Sequence, residues 1–103
     1  MAAYVLVLYE HPTDAAAFDQ HYHKTHVPLV KQLPGLRDFS VSASPVTSPD
    51  KESSIHFIAL LRFDSLSAVG VAMSSPEGQA AVNDVPRFAS GGASVVMCEM
   101  QSQ

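Results

Sequence analysis

The sequence predicts an α+β sandwich whose elements follow the order β, α, β, β, α, β, and three observations support it. Residues 3–9, AYVLVLY, are a short run of β-branched and aromatic residues, as in a strand. Residues 15–26, AAAFDQHYHKTH, have helical composition and follow Asp14, which suits an N-cap. Residues 36–44, LRDFSVSAS, alternate between apolar and polar side chains, which indicates a strand with one apolar face.

The first helix combines an apolar stripe with an interruption. Apolar side chains recur at steps of three, four or seven residues and share one side of an α-helix: Ala15, Phe18, Tyr22, Leu29 and Leu33. Pro28 lacks a backbone donor, so we expect the helix to kink or split near Lys24. Gly35 suits a left-handed cap and should end the segment.

The second half of the chain repeats the pattern of strand, helix and strand. Residues 45–54 carry turn signals throughout, and residues 55–63, IHFIALLRF, read as the third strand. Helical segments should start after Ser65 and at Pro76, and residues 93–101 should form the last strand. With no linker between these elements, residues 1–103 form a single domain.

This order of elements is typical of a ferredoxin-like sandwich, with a four-stranded antiparallel sheet and both helices on one face. The open face would combine the serines of the second strand with apolar residues of the first and fourth strands. Only 16% of the residues are charged, so few charged side chains are available to make this face polar. A large apolar face on a small domain usually forms an interface. A second copy of the chain is the simplest cover. We therefore expect a homodimer, in which two sheets form a dimeric α+β barrel around a cavity.

Charge and cysteine content exclude several classes of function. The net charge is −4, and the six Lys and Arg residues form no basic run, so we expect no nucleic-acid or membrane partner. The N-terminus lacks the positive region of a signal peptide, no apolar run is long enough to span a bilayer, and Cys98 is the only cysteine. These features predict a cytoplasmic protein. No nucleotide motif is present, and we expect no cofactor.

Three segments resemble the EthD family of dimeric α+β barrel proteins: FDQHYHKTHVPLVKQLPGL, FIALLRFDS and SSPEGQAAVNDVPRF. The resemblance covers nearly the whole chain and implies a small hydrophobic cavity that accepts a flat organic molecule. Bacterial EthD proteins accompany the degradation of ethers such as ethyl tert-butyl ether, and fungal relatives resemble dehydratases or decarboxylases. Neighbouring barrel families include cofactor-free monooxygenases and haem-degrading enzymes. The histidine of the family motif H-x-P-L falls on His26.

The segment HYHKTH places three histidines on different sides of the first helix. On a regular helix His26 falls within the apolar stripe, His23 at its edge, and His21 on the opposite, solvated side. His26 is either a core histidine bonded to a carbonyl freed by Pro28, or a general acid or base facing a cavity. With His21 pointing elsewhere and no carboxylate nearby, a metal site is not expected.

The expected substrate-binding residues surround the cavity: Tyr22, His23, Ser40, Ser42, His56 and Arg62. Tyr22 would orient the substrate, and the two serines share the polar face of the second strand. His56 and Arg62 should share one face of the third strand. The alternative is an exposed serine face and a surface ion pair at Arg62.

Together these observations favour a protein that takes part in degrading ether-type or aromatic compounds. It would bind a small hydrophobic organic ligand in the barrel cavity, with His26 as the catalytic acid or base and with lyase-like, dehydratase-like or monooxygenase-like chemistry. The alternatives are a non-catalytic accessory or carrier protein, and a cofactor-free or haem-dependent oxygenase of the same superfamily.

Overall fold

The four strands form one antiparallel sheet. A computed structural model describes residues 1–103. Its strands are, in chain order, β1 Ala3–Glu10, β2 Asp38–Val41, β3 Ile55–Phe63 and β4 Ala93–Glu99. Strand β1 lies between β3 and β4, and β2 is an edge strand paired with β3. This topology confirms the predicted ferredoxin-like fold.

The four helices are, in chain order, α1 Ala15–His21, α2 Val27–Val30, α3 Leu66–Ser74 and α4 Pro76–Asp84. Helices α1, α3 and α4 begin where the capping signals predict, whereas α2 has no side-chain cap. The Asp14 carboxylate accepts a hydrogen bond from the Ala17 N–H at 3.1 Å, and Ser75 caps α4 in the same way. A short 3₁₀ turn, Val85–Arg87, follows α4. None of the helices has the length and apolar character that crossing a bilayer requires.

A π-helical turn, Tyr22–His26, joins α1 to α2. The interruption predicted from Pro28 is therefore present, as a turn widened by one residue. The extra residue changes which later side chains face inward. Val30 is buried, whereas Leu29, which the regular spacing predicted to be inside, is only half-buried. Ala15, the first residue of the predicted stripe, is exposed.

All helices pack on one face of the sheet, where the core lies. The buried side chains of β1 and β3 that form this face are Ala3, Val5, Tyr9, Phe57, Ala59, Leu61 and Phe63. Phe18 and Tyr22 from the first helical segment cover them, together with Val69 from α3. The Tyr22 ring meets the Phe57 ring edge to face, with 4.6 Å between their centroids. This aromatic contact anchors the π-helical turn on the sheet.

The opposite face of the sheet carries no helix and is largely apolar. A depression of about 400 Å³ on it is lined by Tyr4, Leu6, Leu60, Val96, Cys98 and Met100. Leu60 is 37% exposed and Val96 is 53% exposed. Strand β2 is shorter than the predicted 36–44, because its ladder ends after the Ser42 N–H donates to the Ile58 carbonyl. Ser40 lies on this face opposite Leu60.

Candidate functional site

A buried carboxylate, Asp84, joins two of the clustered histidines. It is the last residue of α4 and is 2% exposed. The Nδ1–H of His26 donates to Oδ2 at 3.0 Å, and the Nε2–H of His21 donates to Oδ1 and Oδ2 at 2.9 and 3.1 Å. These proton positions follow from the hydrogen-bond network, since the carboxylate can only accept. The result is a His–Asp–His cluster at the junction of the two helical regions.

This cluster corrects two expectations for the histidines. His21 was expected to face solvent, but its side chain is only 28% exposed because Asp84 and the Phe88 ring lie against it. His26 is buried, as the helical phase predicts, and its partner is a carboxylate rather than a carbonyl freed by Pro28. Asp84 lies 58 residues beyond His26, so helical spacing could not connect them.

One sequence signal does mark Asp84 as unusual. It ends α4, where the helix dipole disfavours negative charge. A carboxylate in that position needs donors from elsewhere in the fold, and here two imidazoles supply them.

Burial and hydrogen bonding set the charges of this cluster. Burial lowers the pKa of His26, although its hydrogen bond to Asp84 acts in the opposite direction. Burial alone would raise the pKa of Asp84, but the hydrogen bonds from His21 and His26 outweigh it and hold that pKa below its ordinary value. At neutral pH the cluster therefore contains an ionised Asp84 and a neutral His26. With its proton on Nδ1, His26 has a basic lone pair on Nε2.

His26 and Tyr22 line a cavity of about 80 Å³ between the helices and the sheet. Tyr9 also lines it, and the other lining residues are aliphatic apart from Met73. Val82 and Val95 lie at its rim and are 53% and 54% exposed, so the cavity opens between α4 and β4.

Two phenols lie beside the cavity. The Tyr22 hydroxyl is buried without a well-aligned hydrogen bond, and the Tyr9 hydroxyl lies close enough to interact with it. Burial raises the pKa of both Tyr9 and Tyr22, so both phenols keep their protons. The cavity lining thus combines a neutral imidazole and two protonated phenols with apolar side chains.

A second concave site, of about 490 Å³, lies beside the first helix. It contains His23, Ser42 and His56, together with His11 and Asp19. The sequence predicted His56 on the same face of β3 as Arg62, and this prediction is wrong. Tyr9 pairs with Phe57 and Glu10 with Ile55, which leaves His56 as the extra residue of a β-bulge.

The bulge turns the His56 ring toward the first helix. The ring packs against Phe18, with 4.9 Å between the ring centroids, and its Nε2 lies 3.2 Å from the Asp19 carboxylate. Arg62 pairs with Tyr4 and Asp38, on the open side of the sheet.

The six expected substrate-binding residues are therefore divided among three places. Tyr22 lines the His26 cavity, whereas His23, Ser42 and His56 line the larger concave site. Ser40 and Arg62 belong to the open face, where the Ser40 hydroxyl donates to Asp38 at 3.4 Å. No group of three or more His, Cys, Asp or Glu side chains is arranged to hold a metal ion.

Known proteins are similar to this chain in sequence or in fold. A chain of Rhodococcus erythropolis, described as an uncharacterized 11.0 kDa protein in the thcB-thcC intergenic region, is 40% identical over 98 residues, which are 95% of this chain and 94% of that one. A Bacillus halodurans structure, described as an ethyl tert-butyl ether d (EthD) family protein, is 34% identical with a TM-score of 0.88, and the match covers 98% of this chain and all of that one.

A second similar structure shows the fold alone. It is a protein of Jannaschia sp., described as dimeric and ferredoxin-like; it is 22% identical with a TM-score of 0.73, and the match covers 97% of this chain and 100% of that one. The family model described as the EthD domain matches residues 10–92, which contain Tyr22, His26 and Asp84. The chain belongs to the EthD family, as the segments around His26 indicated.

Proposed function

We propose that the protein binds a small hydrophobic organic molecule in the helix–sheet cavity and that His26 transfers a proton to or from it. The observation that carries this proposal is the pairing of His26 Nδ1 with a buried carboxylate in an apolar cavity. That pairing leaves Nε2 as the base. Because burial lowers the pKa of His26, its imidazole is neutral at physiological pH and can accept a proton.

Each neighbour of His26 has a distinct part in this chemistry. Asp84 holds the ring in one tautomer and stabilises the imidazolium that forms when Nε2 takes a proton. The hydroxyl of Tyr22, which has no well-aligned partner in the ligand-free protein, turns from Tyr9 to donate a hydrogen bond to an oxygen of the ligand. The aliphatic lining excludes water, which strengthens both polar interactions.

The size of the cavity limits the part of the ligand that it encloses. Pockets for drug-sized ligands have volumes of roughly 300–1,000 Å³. A cavity of about 80 Å³ takes one end of a ligand, and the rest lies over the exposed rim residues Val82 and Val95. Such a site suits compact molecules with one polar oxygen. The ether named in the description of the Bacillus relative has that character, and a small phenol has it too.

The functional unit that we propose is a homodimer. Leu6, Leu60 and Val96 form an apolar row across the open face of the sheet, and nothing within the chain covers it. Packing this face against a second copy removes it from water and produces the barrel. The description of the Jannaschia structure as dimeric supports this arrangement.

A carrier role is the second candidate, and the open face is the feature that favours it. The depression of about 400 Å³ there has a wholly hydrophobic lining. A ligand held on that face would have no contact with His26, which lies on the helix side of the sheet. The protein would then deliver a compound to another enzyme without changing it.

The test compares turnover by two matched variants. Wild-type protein is incubated with a panel of small ethers and phenols, and loss of each compound is followed by gas chromatography. His26→Gln keeps a donor for Asp84 and should reduce turnover about 10²–10⁴-fold, the usual cost of losing general acid–base catalysis. His23→Gln, at an exposed position three residues away, should keep full turnover. Binding without turnover by wild-type protein would favour the carrier role.

A further inference from the structure

Asp84 is the only charged partner of two imidazoles. Its Oδ2 atom lies 3.0 Å from Nδ1 of His26 and 3.1 Å from Nε2 of His21. No Lys or Arg forms a salt bridge with it. A single negative charge balances one protonated imidazole, but not two.

The two histidines differ in their access to water. The side chain of His26 is 5% exposed and that of His21 is 28% exposed. The Phe88 ring packs against both, with ring centroids 4.8 Å from His26 and 5.3 Å from His21. A proton from solvent therefore reaches His21 directly, whereas His26 lies behind it.

We infer that His21 and His26 compete for the single carboxylate of Asp84, so that a proton on His21 keeps His26 in its neutral, basic form. His21 is then a positioning residue for the base and the means by which solvent pH acts on a buried site. The inference rests on the proposed function for its biological meaning, but the competition itself is a property of the ligand-free protein.

The surroundings of the cluster support the competition. The titratable groups beside it are the phenols of Tyr9 and Tyr22, which burial keeps neutral because it raises the pKa of both. Asp84 is thus the one charge in contact with either imidazole. Burial lowers the pKa of His26 most, Asp84 raises it, and a charge on His21 lowers it further. Interacting sites of this kind titrate as a coupled pair.

The experiment follows the imidazole resonances of ¹⁵N-labelled protein by NMR between pH 4.5 and 8.5, without ligand. His21→Gln keeps a donor for Asp84 but cannot carry charge. It should raise the pKa of His26 by about 0.5 pH unit or more, through loss of the competing charge. In an Asp84→Asn background, the same His21 substitution should have a smaller effect, because the shared carboxylate is gone.

Two results would overturn this inference. One is a His26 titration that is the same in His21→Gln as in wild-type protein. The other, obtained on wild-type protein alone and thus independent of how the variants fold, is a His26 titration in a single step. Neither result bears on turnover, so failure here is distinct from failure of the acid–base role, which His26→Gln tests.

Discussion

His26 combines two roles that are usually separate, because it is a buried residue and a candidate base. Its Nδ1 is bound to Asp84, while the ring packs against Tyr22 and Phe88. A base held on several sides loses little orientation freedom when it takes a proton. The same contacts make its substitution costly to the fold, so stability must be measured beside turnover.

At the scale of single residues, Asp84→Asn tests the carboxylate. The change keeps the size of the side chain but removes the charge that accepts two imidazole donors. We expect the free energy of unfolding in urea to fall by about 2 kcal/mol, as for loss of a hydrogen bond to a charged group. Asp19→Asn is the control: Asp19 pairs with His56 but is 54% exposed, so its cost should stay below about 1 kcal/mol. Equal costs for the two variants would contradict the importance given to Asp84.

A second prediction at this scale concerns pH. Because the pKa of His26 is lowered in the folded state, the unfolded chain takes up the proton first on acidification. Stability should therefore fall as the pH drops below about 6.5, the ordinary pKa of histidine. The lowered pKa of Asp84 adds a further loss near its ordinary value of 3.8.

The comparison that isolates His26 is urea unfolding at pH 7.5 and 5.5. His26→Gln should lose less stability between these pH values than wild-type protein loses. An identical loss in both proteins would mean that His26 is not the group that takes up the proton.

At the scale of elements, the π-helical turn separates the part of the first helical segment that was predicted correctly from the part that was not. Pro28 correctly indicated an interruption, and Phe18, Tyr22 and His26 were correctly placed on the inner side. The pattern assumed a regular helix, and the widened turn moved Val30 inward in place of Leu29. Local spacing predicts one helix face well, but it contains no information about contacts with α4. For that reason Asp84 and the true position of His21 were missed.

The close crossing of α3 and α4 gives the element-scale prediction. A Cβ atom on Gly78 would clash with the Ala72 carbonyl oxygen and the Met73 backbone, so the backbone must move to admit it. Gly78→Ala should destabilise the protein by about 1–3 kcal/mol and shift α4, which carries Asp84.

Gly70→Ala is the matched control for this crossing, since a Cβ there meets no atom within 4 Å. It should be neutral or stabilise by up to about 1 kcal/mol through helix propensity. Thermal unfolding of the two variants measures the difference, and similar midpoints would contradict the tight crossing.

At the scale of the whole molecule, the open sheet face follows from the pattern of the strands. The order of elements and the period of alternation were enough to predict the sheet, its uncovered face and the helices on the other side. The β-bulge at His56 was not predictable, because one extra residue in a strand leaves no mark in a nine-residue apolar run. That one residue moved His56 from the open face to the helix side.

Assembly is the prediction that belongs to this scale. Sedimentation at micromolar concentration should give about twice the 11.0 kDa chain mass. Leu60→Lys places a charge in the middle of the open face and should yield monomers. Val71→Lys is the control, since Val71 is 67% exposed on α3, away from that face. A Leu60→Lys protein that remains a dimer would place the interface elsewhere.

The tautomer of His26 tests the central claim most directly. Long-range ¹H–¹⁵N NMR of the wild-type protein at pH 7.5 reports which ring nitrogen carries the proton. The account predicts a neutral ring with the proton on Nδ1, bound to Asp84, and a bare Nε2 whose resonance moves when a small ether or phenol is added. A proton on Nε2, or an Nε2 resonance unaffected by every compound that the protein binds, would contradict a base facing the cavity.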